Sequence, residues 1–187
     1  EIVGNGWVES DTNVPSGESL VRQLLYGRKF CLREFGLDSK IFWMPDVFGY
    51  TWALPQILRR SGMEYFYTCK LNSNEINRFP HTLFNWQGAD GTEIPTYVQK
   101  ISYASDMNPF FMHYAWWDFD EKDITQDVMF AYGFGDGGGG PSEKMQEFAD
   151  RYADFPGLSA VRQCTAQDYF DRVEHTVRDR LPVYRDE

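Results

Sequence analysis

The chain has 187 residues, about one domain, and 42% of them are hydrophobic, so a packed core is expected and wholesale disorder is excluded. Its 28 acidic residues outnumber 18 Lys and Arg, a formal net charge of −10, which argues against a nucleic-acid partner. No run approaches the roughly 20 apolar residues of a membrane span, so no membrane partner is expected.

Ile2 to Val8 reads as a short strand arriving at a Gly-rich turn, and Glu1 to Gly6 lack the basic start and apolar run of a signal peptide. Ser16 is a plausible N-cap for a helix with Leu20, Leu24, Leu25, Arg28 and Leu32 at helical spacing, ended by Gly36. Lys40 to Met44 suits a buried strand, Pro55 to Arg60 a helix, and Glu64 to Thr68 another strand. This alternation predicts an α/β fold with a mostly parallel sheet and flanking helices.

Two strand-like runs, Thr82 to Trp86 and Thr92 to Val98, flank Gly88-Ala89-Asp90-Gly91, which is a hairpin signal. Residues 99 to 126 read as a long loop with short helical pieces. Val128 to Tyr132 is expected to be a strand running into a glycine loop, residues 133 to 140, and Pro141-Ser142-Glu143 starts a helix through about Tyr152. Ala160 to Gln163 reads as a last strand and Thr165 to Arg180 as a last helix, with Thr165 and Asp168 resembling a capping box.

Aromatic residues make up 17% of the chain. They fit either a carbohydrate cleft, where flat rings stack on sugar faces, or a large aromatic core. Cys31, Cys69 and Cys164 are far apart and odd in number, which suggests no disulfide framework and fits a reducing compartment such as the cytoplasm. His81, His113 and His175 are scattered and define no metal site by spacing; His81 reads as a hydrogen-bonded turn residue. Trp116-Trp117 fits a glycan platform or a satellite cluster, and the acidic run Asp118 to Asp127 reads as a solvated face.

In parallel α/β sheets ligands sit beyond the carboxyl ends of the strands. Asp11, Asp46 and Asp136 each follow a predicted strand. Carboxylates converging on one rim are what glycoside hydrolysis needs. The alternative, that each Asp caps a following helix, stays open on spacing alone. Gly133-Phe134-Gly135-Asp136 and the glycines after it form a loop expected where something approaches the backbone closely. It lacks the Lys of a P-loop and matches a dinucleotide motif weakly, so a nucleotide-binding domain is the less favoured reading.

Several stretches resemble glycoside hydrolase family 38, the α-mannosidases. They are Trp7-Val8-Glu9 with Asp11, Asn13 and Pro15 to Gln23; Trp43 to Tyr50 with Leu54 to Ile57; Asn77 to His81; and GFGDGGGGP from Gly133. The resemblance covers nearly the whole of residues 1–187. It implies part of a barrel-like glycosidase catalytic domain, with a first strand upstream and helical and β-sandwich domains downstream. It implies a retaining hydrolase that removes terminal α-linked mannose from glycans, with Asp46 as nucleophile and metal ligand and Asp136 as general acid/base. Trp7 and Asp11 match the loop beside the metal and the sugar. The implied cofactor is a divalent metal, zinc, with its His-x-Asp and a further His outside this chain. The chain alone is therefore expected to be inactive, to hold no stoichiometric zinc and to partner the remainder of its own polypeptide. An unpaired sheet edge would favour homo-oligomers. Where the family reads KLSWN and Thr-His, this chain has Lys70 to Asn74 with Ser73, and Thr96-Tyr97; both departures are expected beside the substrate. The rival reading is a carbohydrate-binding scaffold without catalysis.

Overall fold

Ser16 does cap the first helix. In the computed structural model, which describes residues 1–136 and 138–187, its hydroxyl accepts the N–H of Ser19, and Gly36 ends α1 (Gly17–Phe35) in the left-handed conformation. Helix α2 (Leu54–Arg60) follows strand β1 (Ile41–Trp43) and precedes β2 (Tyr65–Thr68). Strands β3 (Leu83–Gln87) and β4 (Glu93–Val98) form the predicted hairpin, with Leu83 opposite Tyr97 and Gln87 opposite Glu93. Helix α3 (Pro109–Trp117) lies within the predicted loop, α4 (Glu143–Arg151) is capped by Ser142, and α5 (Ala166–Thr176) by the Thr165–Asp168 box. A two-residue β5 (Val183–Tyr184) closes the sheet, whose order is β1-β2-β4-β3-β5. Neighbours pair in parallel except β3 with β4.

Side chains alternate across the sheet and bury both faces. Phe42, Phe66, Phe84, Trp86, Ile94 and Val98 join Leu20 and Leu24 of α1 and Leu54 and Leu58 of α2. Ile41, Tyr65, Tyr67, Leu83 and Tyr97 face Tyr169, Phe170 and Val173 of α5. Trp43 stacks on Tyr67 at 3.5 Å between ring centroids, and Tyr67 on Tyr97 at 6.2 Å, one row of rings across three strands. The aromatics of the sheet are therefore core, while others, among them Trp7, Phe48, Trp52 and Trp117, stay exposed. Tyr97 belongs to this row, is buried and donates to the Met129 carbonyl.

Three predicted strands are absent. Residues 2 to 8 carry positive φ at Gly4 (115°) and Asn5 (62°), which no ladder accommodates. Asn5 instead sends its amide to the carbonyls of Ser39 and Ile41, at 2.9 and 3.2 Å, and covers the outer edge of β1 at that point. Residues 128 to 132 find a side chain where a strand partner was expected: Gln99 Oε1 accepts the Ala131 N–H at 2.8 Å, and Gln99 Nε2 donates to the Ala131 carbonyl. Residues 160 to 163 pack on the α4 end, where Val161 N–H reaches the Tyr152 carbonyl.

The acidic run is not a solvated face. Glu121 is buried and takes the N–H groups of Thr82 and Leu83, with His81 Nδ1 at 3.0 Å from its other oxygen. Asp118 and Asp120 pair with Arg78, Asp120 also with Lys100, and Asp127 with Arg172. Burial pushes the Glu121 carboxyl up, and the bonds from Leu83, His81 and Thr82 pull it back. Trp116 packs into the second core and Trp117 stays exposed beside Tyr114.

Helix α1 lies directly against residues 5 and 6, and a methyl group at Gly27 would overlap the Asn5 carbonyl. Gly27→Ala is expected to destabilise the fold by about 1–3 kcal/mol, more than the helix propensity gained. Gly17→Ala, whose new methyl would meet only Ile57 Cδ1 at 3.7 Å, is the control. Equal unfolding midpoints for the two variants would contradict the close approach.

Candidate active site

The carboxyl ends of β1, β2 and β4 share one rim, because the three strands run parallel. Asp46 stands three residues past β1, after Pro45, and Lys70 two residues past β2. Asp46 Oδ1 pairs with Lys70 Nζ at 3.1 Å. The Asp46 N–H donates to Glu9 Oε1 at 2.6 Å, which ties the Trp7–Asp11 loop to the rim. Lys70 Nζ also lies 5.6 Å from the centre of the Phe48 ring and 5.5 Å from that of Tyr103, distances at which an ammonium is attracted to a ring face.

Asp136 arrives from the glycine loop with φ 48°, unusual for a residue other than glycine. Phe134 and Gly140 pair across the loop with two N–H to O bonds of 2.9 Å. Gly137 lies outside the described residues. Tyr103 donates its hydroxyl to Asp136 Oδ1 at 3.4 Å. Burial and the negative charges of Asp46 and Asp136 push the Tyr103 phenol up to about 12. The ion pair with Asp46 raises Lys70 above the ordinary lysine range, and Asp136 adds to the effect. Two carboxylates distant in sequence therefore meet around one phenol and one ammonium.

The helix-capping alternative fails for both. The N-cap of α2 is Ala53, not Asp46, and that of α4 is Ser142, not Asp136. It holds in kind for Asp11, whose Oδ1 accepts the N–H groups of Asn13 (2.7 Å) and Val14 (2.8 Å) and closes its own turn. Trp7 packs edge-on against Phe30 of α1. Among the described residues neither Trp7 nor Asp11 makes a hydrogen bond or ion pair to Asp46 or Asp136. Ser73 is exposed beyond the end of β2.

The profile of the glycosyl hydrolases family 38 N-terminal domain matches residues 1–187. The chain belongs to glycosyl hydrolase family 38. An alpha-mannosidase of Saccharomyces cerevisiae is 46% identical over 144 residues, 76% of this chain and 13% of that protein. Alpha-mannosidase G of Dictyostelium discoideum is 39% identical over 91% of this chain and 16% of its own length. Human alpha-mannosidase 2C1 is 39% identical over 92% of this chain and 17% of its own. The chain thus spans about one sixth of these family 38 relatives. The crystal structure of an alpha-mannosidase from Enterococcus faecalis V583 shares the fold, with a TM-score of 0.71 over 98% of this chain and 21% of that one at 18% identity.

Sequence reasoning missed Glu9, Lys70 and Tyr103. Lys70 carried a signal, since it follows a parallel strand as Asp46 does. Tyr103 carried none, lying in a stretch without periodicity. The family implies a metal at Asp46. Catalytic zinc takes about three protein ligands, and among the described residues no group of three or more His, Cys, Asp and Glu side chains could hold one. Asp46 is engaged by Lys70 instead. These residues do not by themselves fit a metal site. No helix among the described residues is long and apolar enough to cross a membrane.

Proposed function

We propose that the protein carrying this domain hydrolyses terminal α-linked mannose in glycans by a retaining, two-carboxylate mechanism. The supporting observation is that the two carboxylates belong to one cluster: Asp46 pairs with Lys70, the Lys70 ammonium lies against the Tyr103 ring, and the Tyr103 hydroxyl donates to Asp136. A retaining mechanism needs one of the two carboxylates close enough to attack the anomeric carbon directly. The alpha-mannosidase names of the relatives supply the substrate class.

In this reading Asp46 attacks the anomeric carbon, while Asp136 gives its proton to the departing glycosidic oxygen. Asp136 then takes a proton from the water that releases the sugar from Asp46. Lys70 keeps Asp46 in place through its ion pair. The Trp7–Asp11 loop, tied to Asp46 through Glu9, borders the sugar. A cavity of about 660 Å³ lined by Phe48, Phe79, Trp86 and Tyr184, but by neither Asp46 nor Asp136, has room for sugar units. The glycine loop presents a carboxylate, which repels a phosphate, so nucleotide binding is not favoured. Cys31, Cys69 and Cys164 form no disulfide with one another, which fits a reducing compartment such as the cytoplasm.

The test is hydrolysis of aryl α-mannoside against aryl β-mannoside and aryl α-glucoside, with the anomer of the first-formed sugar followed by NMR. Preference for the α-mannoside with release of α-mannose is expected. Release of β-mannose would overturn the retaining mechanism, and no turnover of any glycoside would leave a carbohydrate-binding scaffold. Zinc, if Asp46 shares in holding it, needs further ligands; loss of turnover in a chelator and its return with zinc would show the requirement.

A further inference from the structure

We infer that Tyr103 is the positioning residue that aims the Asp136 carboxyl at the leaving group. This rests on the two-carboxylate reading above. The backbone of Asp136 is in the left-handed region and its loop is built largely of glycine, so the main chain alone leaves the side chain free to turn. Among the described residues the hydroxyl of Tyr103 donates to it, at 3.4 Å. Tyr103 is itself fixed from several sides. The ammonium of Lys70 lies against its ring. The Ala104 N–H donates to Ser102 Oγ at 3.1 Å, and the Ser105 hydroxyl donates to the Ser102 carbonyl at 2.5 Å.

The glycine loop is laid onto this same segment. Gly133 donates its N–H to the Ser105 carbonyl at 2.9 Å, and Ser105 bridges Tyr132 in parallel. A methyl at Gly135 would come within 2.9 Å of the Ala104 side chain and 3.5 Å of the Tyr103 ring. Residues 102 to 105 are thus a template that receives the loop by its backbone and its catalytic carboxylate by one phenol. Because Lys70, the ion partner of Asp46, lies against the ring of this same tyrosine, Tyr103 sets the acid relative to the nucleophile.

Tyr103→Phe removes the hydroxyl and keeps the ring under Lys70. In the protein carrying this domain, kcat/KM for α-mannosides with poor leaving groups should fall about 10- to 100-fold, the scale expected for a misplaced catalytic group. An activated aryl α-mannoside, which needs little proton donation, should lose far less, and the thermal unfolding midpoint should hold. Equal losses on both substrates, or no loss on either, would overturn the inference. Asp46→Asn is measured beside it. Parent-like Tyr103→Phe with inactive Asp46→Asn removes only the tyrosine's role; an active Asp46→Asn removes the reading on which it rests.

Discussion

Asp46→Asn is expected to lower α-mannoside turnover by at least about 10³-fold, the scale seen when an enzyme loses its nucleophile. Asparagine keeps the shape of the side chain and offers no carboxylate to form the glycosyl intermediate. The fold should be indifferent. The side chain of Asp46 is 46% exposed, and among the described residues its ion partner is Lys70. Such pairs contribute about 0–1 kcal/mol. The bond that holds the Asp46 backbone comes from its N–H to Glu9 and survives the change. Turnover and unfolding midpoint measured on the same preparation separate the two effects. A variant with a sizeable fraction of parental turnover and an unchanged midpoint would remove Asp46 from the chemistry.

The helices were legible because their signals are local. Ser16 with Gly36, Ser142, and Thr165 with Asp168 are caps made by residues three or four apart, and each forms as the sequence predicts. The hairpin around Asp90-Gly91 is local in the same way. Strands depend on distant partners, and there the reading failed. Ala131 is apolar and strand-like in its neighbourhood, yet a side-chain amide 32 residues earlier satisfies its backbone. Nothing around Val183 announced a strand, since two residues carry no alternation. The acidic run misled for a related reason. Composition gives Asp118 and Glu121 a solvated surface, but Glu121 is needed to satisfy the backbone N–H groups of Thr82 and Leu83, which open β3.

The site divided along the same line. Asp46 was visible from its place past a strand, and Asp136 from the glycines around it. Asp11 looked equivalent, but its oxygen is taken by its own turn. The groups that link the two carboxylates, Lys70 and Tyr103, come from elements that meet only in three dimensions. A parallel sheet brings strand ends together whatever their order in the chain. That geometry joins residues 46 and 70, and the segment after β4 together with the glycine loop adds 103 and 136.

Asp136→Asn should act in a different way from Asp46→Asn. Asparagine tolerates the left-handed backbone as well as aspartate does, so φ 48° poses no obstacle and the loop should keep its form. What is lost is the proton. For an α-linked disaccharide, whose leaving group is a poorly acidic sugar hydroxyl, kcat/KM is expected to fall by about 10²- to 10⁴-fold, the usual contribution of a general acid. For an aryl α-mannoside with an acidic phenol, bond cleavage needs no proton, and kcat/KM should stay close to the parent value. Its kcat should still fall, because Asp136 is also the base that activates water for release of the sugar from Asp46. The same enzyme would then show an initial burst of phenol followed by slow turnover. Uniform loss on both substrates without a burst would make Asp136 a structural residue of the glycine loop and leave Asp46 without its partner.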